Sequence, residues 1–122
     1  MTNVHLIVGT LVLVGYLAAA ILSIRTLVTG AAFSWQKMLS YGAATVLLLQ
    51  YMLGFSLLSS DKDITATHFL IALAAIIPVG FEHGYANTRE SAAQRRLFIA
   101  IANIVTFAIV LAAFIIGEAN GS

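Results

Sequence analysis

Cysteine is absent from the 122 residues, which excludes disulfides, thiolate metal sites and thiol catalysis together. Charge is scarce. Lys, Arg, Asp and Glu make up 9% of the chain, against roughly 25% in a soluble domain. The net charge of +1 leaves no basic footprint for a nucleic acid, and none is expected as a partner. Proline occurs once, at Pro78, so the other apolar stretches carry no residue that forbids a long helix.

What is present is apolar residue, 61% of the chain. Such an excess has no place on a water-facing surface of this size, so lipid must be the solvent for most of it. The apolar runs predict four helices, at about 4–27, 38–58, 64–84 and 96–116. Each is near the roughly 20 residues needed to cross a bilayer. Strands are excluded, because four cannot close a barrel and an open edge is not tolerated in lipid. The first run lacks a basic leading segment and exceeds a signal-peptide core of about 7–15 residues, so a retained helix is expected despite Ala18-Ala19-Ala20. The breaks between runs are short, which makes 1–122 a single all-α domain, an up-down four-helix transmembrane bundle. Membrane lipids are its first partners.

Basic residues are unevenly placed. Arg25 and Lys37 flank the first break, and Arg89, Arg95 and Arg96 the third. The second break has only Lys62, between Asp61 and Asp63. Basic residues stay on the cytoplasmic side, so both termini and the loop around Asp61 are expected outside. The expected setting is a prokaryotic cytoplasmic membrane crossed several times.

An ionisable group at membrane depth is costly and a functional candidate by default. His5 falls in the first turn of the first helix, after the cap-type residues Thr2 and Asn3. His68 falls near the start of the third, after Asp63 and Thr65. These helices run in the same direction and lie diagonally in an up-down bundle, so both rings can reach one central site. His5 is followed at spacings of four and three by Gly9, Val12, Tyr16, Ala19 and Ser23, and His68 by Ala72, Ala75, Val79 and Glu82. Small residues near each histidine leave room for close approach or for a flat macrocycle. Two imidazoles facing across a bundle suit the axial positions of a haem, held without covalent attachment because the chain has no cysteine. Histidines that merely meet interfacial water, or one histidine on a chlorophyll, fit the spacing too.

The stretch Gln50-Tyr51-Met52-Leu53-Gly54, then Leu57-Leu58-Ser59, a short loop and His68-Phe69-Leu70-Ile71-Ala72-Leu73 resembles a helix–loop–helix of haem A synthase. Each half of that family's fold is a four-helix bundle with a histidine pair, and some members consist of one half. The resemblance covers Val4 to Phe81, and His5 with Gly9 fits the family's other ligand position. It implies haem b, held non-covalently by His5 and His68 as iron ligands, with Gln50, Gly9 and Tyr16 lining the site. The family's glutamate three residues before the first histidine and the arginine after it are replaced here by Thr2 and Leu6, and its outer-loop cysteine pair is missing. These departures turn the expectation from the synthase reaction to a b-type cytochrome. Its electron partner would be a quinone or a partner protein at the outer face. The alternatives are a haem-free structural or accessory subunit of a larger membrane complex or homo-oligomer, and a half-size haem A synthase. A small multidrug transporter would need a carboxylate in the first helix, which has none.

Five further residues carry expectations. Gln50 is to hydrogen-bond a histidine, a haem edge or another helix. Pro78 is to kink the third helix. Glu82 and His83 are to be interfacial polar residues paired with Arg25 or Arg96. His83, roughly 22 Å along the helix from His68, is to take no part in the same haem, and only Met38 is near enough in depth to join it in a second site.

Overall fold

The computed structural model describes residues 2–59 and 66–119. The expected loop with Lys62 and the cap residues Asp63 and Thr65 lie outside them. The described chain is helical, with four segments long and apolar enough to cross a membrane. These are α1 (Thr2–Thr29), α2 (Gln36–Ser59), a third span made of α3 (Ala66–Ala74) and α4 (Ile76–Gly84), and α5 (Ala92–Ala119).

Local chemistry sets the ends. Gly30 follows α1 at φ +75°, a conformation that costs glycine nothing, and its N–H reaches Thr26 O at 2.8 Å. Ser91 opens α5, its Oγ accepting the Gln94 N–H at 3.3 Å. The third span breaks at Ala75, where the backbone N–H turns to Ala72 O, three residues back. The cause is Pro78, which has no N–H to donate to the Ala74 carbonyl four residues earlier. The expected kink is therefore a break one turn before the proline. The helices also run a few residues beyond the apolar cores at 4–27, 38–58 and 96–116, because polar residues such as Gln36 and Gln94 fit a first helical turn.

The helices run alternately up and down. α1 packs along both α2 and α5, and α3 and α4 pack along α5. Close approach between α1 and α2 depends on small residues. A Cβ on Gly15 would sit 3.4 Å from that of Ala43. The third span meets α2 through side chains: Tyr51 Oη donates to Ala72 O at 2.6 Å, Phe55 and Phe69 lie edge to face at 5.7 Å, and Tyr41 stacks on His83 at 4.7 Å. This seam is the loose side of the bundle.

The inside is small and partly polar, with Ala19, Ala43, Ala75, Ala100, Ser23 and Thr106 buried. The outside is bulky, with Ile7, Leu11, Val28, Met52, Leu70 and Ile77 exposed. In water this distribution would be inverted; in lipid it is the expected one, since tails solvate large apolar side chains and small residues let helices approach. The architecture is that of an all-α integral membrane protein. One end of the bundle carries the start of α1 and the end of α5, with both candidate histidines. The other, basic end carries Arg25, Lys37, Arg89, Arg95 and Arg96.

Candidate functional site

At the histidine end, His5 projects from the first turn of α1 and His68 from that of α3. Their ring centroids are 6.4 Å apart, with planes at 64°. The diagonal placement expected from helix direction brings the two rings together. A metal bonded to one nitrogen of each ring sits about 2 Å from it, and that nitrogen lies about 1 Å from its own centroid. Two such ligands on opposite sides therefore place their centroids about 6 Å apart, which is the separation these rings already have.

His68 is oriented by backbone. Its Nδ1 lies 2.8 Å from Ala113 O on α5. A carbonyl only accepts, so Nδ1 carries a proton in this contact. This is the arrangement in which a metal-ligating imidazole is commonly held. His5 Nε2 points toward α2, where a Cβ on Gly54 would lie 3.6 Å away.

Gln50 acts through the main chain. Its Nε2 donates to His5 O at 2.9 Å, crossing above Gly9, where a Cβ would stand 2.9 Å from the same nitrogen. Gly9 thus makes room for the amide, and the amide ties α2 to the residue that carries the imidazole. Gln50 Oε1 is buried with no hydrogen-bond partner among the described residues.

Between the rings and the helices lies a cavity of about 100 Å³. His5, Gly9, Gln50 and His68 line it, and Tyr16 does not. Tyr16 is fully buried among Val12, Ala19 and Leu47, outside the cavity wall, because one more turn of α1 carries the stripe into the packed centre. The residues missed are Tyr51, Gly54, Phe55, Phe69 and Gly117 on the wall, and the Ala113 carbonyl. Gly54 and Gly117 had a legible signal, since each puts a residue without a side chain at the depth of the histidines.

The expected partners of Glu82 are not the ones it has. Arg25 donates to Ala31 O at 3.2 Å and lies over the Phe33 ring at 4.2 Å. Glu82 takes the Ser40 hydroxyl on Oε2, and its Oε1 is 3.7 Å from His83 Nε2. Met38 is 76% exposed, facing away from the interior, and the His83 ring is stacked on Tyr41, so nothing assembles a second histidine–methionine pair.

Among the described residues no three His, Cys, Asp or Glu side chains gather as a metal cage. The histidine end offers two imidazoles and an apolar wall, a donor set that suits a metal whose other positions are filled by a macrocycle and leaves a bare ion under-coordinated. Comparison with protein-family models, with curated proteins and with solved structures finds no match to this chain.

Proposed function

We propose that this protein binds haem b between His5 and His68 and carries electrons near the outer face of a prokaryotic cytoplasmic membrane. The observation that carries the reading is the 6.4 Å separation of the two rings across the bundle. The His68 Nδ1 contact with Ala113 O supports it, because a backbone carbonyl is a common anchor for a metal-ligating imidazole. A haem held there supplies a one-electron carrier. The chain's own residues would do the rest: the two imidazoles would hold the iron, Gln50 holds the His5 backbone, and the apolar wall would limit water. The cavity of about 100 Å³ is smaller than the roughly 300–1,000 Å³ of a typical cofactor pocket. A haem there would need the α2–α3 seam to widen, where Phe55 and Phe69 lie edge to face on the cavity wall. The partner in electron exchange is a quinol or a protein docking at that face, and no substrate bond is made or broken.

The visible spectrum of the protein purified in detergent, oxidised and reduced, tests this. The expected result is a six-coordinate, low-spin haem b spectrum. His5→Ala or His68→Ala removes it or converts it to a five-coordinate form, and His83→Ala leaves it unchanged. A colourless protein that also takes up no added haem overturns the reading and leaves a haem-free membrane subunit.

A further inference from the structure

A second, larger cavity of about 300 Å³ lies at the basic end, some 20 Å from the histidine pair by the rise of the third span. Its chemistry is unlike that of the first. At its depth sit Glu82, 2% exposed, and Asn103, 1% exposed, from α4 and α5. Both present an acceptor oxygen, Glu82 Oε1 and Asn103 Oδ1, that is buried with no hydrogen-bond partner among the described residues. The Asn103 oxygen is left over by design of the neighbouring bond: Nδ2 donates to Ser23 Oγ at 2.6 Å, and Ser23 in turn donates to Ala19 O at 2.7 Å. Glu82 Oε2 is taken by Ser40, and His83 Nε2 stands 3.7 Å from Oε1, beyond hydrogen-bond distance. Buried acceptors without donors are expensive. Two of them on residues that line one cavity suit a ligand that brings N–H groups.

Lys37, Arg95 and Arg96 also line the cavity. Arg95 is engaged with Arg89 O and Glu90 O at 2.6 and 2.9 Å. The wall is therefore divided by charge, with acceptors and a carboxyl in the interior and cations near the helix starts. A bare cation meets three like charges on that wall. A bare anion meets Glu82. A molecule with an amine at one end and an anionic group at the other satisfies both. Lys37 lies at the start of α2, and Arg95 and Arg96 near the start of α5, where spans Gln36–Ser56 and Ala92–Gly117 begin. That is headgroup depth in a bilayer, and the apolar outer surface runs on from it.

We infer that this cavity is a binding site for the phosphoethanolamine headgroup of a membrane lipid. The ammonium donates to Glu82 Oε1 and Asn103 Oδ1, and the phosphate meets Lys37, Arg95 and Arg96. The site is independent of any haem at the other end. Native mass spectrometry of the delipidated full chain, with single lipids added back, tests it. Phosphatidylethanolamine is expected to bind about tenfold more tightly than phosphatidylcholine, which has no N–H, or phosphatidylglycerol, which has no amine. Glu82→Gln should abolish that preference, and Arg96→Gln should weaken all three lipids alike. Soluble glycerophosphoethanolamine that displaces the lipid at equal concentration would keep the chemistry and assign it to a water-soluble ligand; failure to displace it assigns the lipid. Equal binding of the three lipids by the wild-type chain, a comparison that needs no variant to fold, overturns the inference. So does an undiminished preference in Glu82→Gln. The haem spectrum is a separate readout, so neither proposal stands or falls with the other.

Discussion

A methyl group on Gly9 would stand 2.9 Å from Gln50 Nε2, closer than real side chains approach. The amide is the far end of a flexible side chain, so it yields by moving, and what is lost is its bond to His5 O. Gly9→Ala is therefore expected to destabilise the fold by about 1 kcal/mol, the net worth of one such bond. Gln50→Ala removes the same bond from the other side and leaves no buried amide behind. The two changes share one interaction, so the double variant should be less destabilised than the sum of the singles, by about 1 kcal/mol. Unfolding in mixed micelles measures all three, and strict additivity would show that Gly9 and Gln50 act separately. What could be read in advance at this scale is which residues face inward. Val12, Tyr16, Ala19 and Ser23 follow His5 at helical spacing and are buried, as are Ala75, Val79 and Glu82 after His68. Burial follows from spacing because a helix fixes the direction of each Cβ. Hydrogen-bond acceptors do not follow from spacing. His5 O and Ala113 O are backbone atoms that every residue has, so nothing in the residue types marks them as the partners of Gln50 and His68.

The break in the third span is the one helix defect with a covalent cause. Pro78 deprives the Ala74 carbonyl of a donor, and the chain answers with a turn at Ala75 between α3 and α4. This divides the span into a piece that carries His68 and a piece that carries Glu82, so each can be seated on α5 by its own contacts: His68 on Ala113 O, and Glu82 beside the cavity that Asn103 lines. Pro78→Ala supplies the missing N–H. The expected outcome is one continuous helix over residues 66–84 and a slowly exchanging amide at position 78, with about 1 kcal/mol gained from the new bond. Straightening also shifts His68 against His5 and should broaden or weaken the haem spectrum proposed above. Hydrogen exchange followed by nuclear magnetic resonance checks the first point, and an amide at 78 that exchanges as fast as free peptide would show that packing on α5, not the proline, makes the break. A kink could be read from the proline alone. Its position one turn earlier could be read from the i−4 rule, but its depth of effect depends on α5, which no local pattern describes.

At the scale of the whole molecule, what orients the bundle is the contrast between its ends. The basic end gathers Arg25 over Phe33 at 4.2 Å, Arg89 over Tyr85 at 4.0 Å, and the stacked pair Phe33 and Trp35 at 5.2 Å. Aromatic rings and cations together are the residues that sit at a headgroup boundary. The loop at the other end contributes Lys62 alone among basic residues, and it is flanked by two aspartates. The bias of five against one is expected to keep the basic end cytoplasmic, and with four spans both termini are then expected outside. In a bacterial host, an alkaline phosphatase fused after Ser122 is expected to be active, and a green fluorescent protein fused there to be dark. Replacing Arg89, Arg95 and Arg96 together by glutamine leaves two basic residues against one, and a measurable share of inverted chains should appear, with fluorescence rising as phosphatase activity falls. A fluorescent wild-type fusion would reverse the orientation. It would move the histidine pair to the cytoplasmic face, and with it any electron partner, while leaving the distance between the two rings as it is. The side of the membrane and the proposed haem binding thus depend on different residues, the first on a handful of charges at the rim and the second on two imidazoles and the helices that carry them.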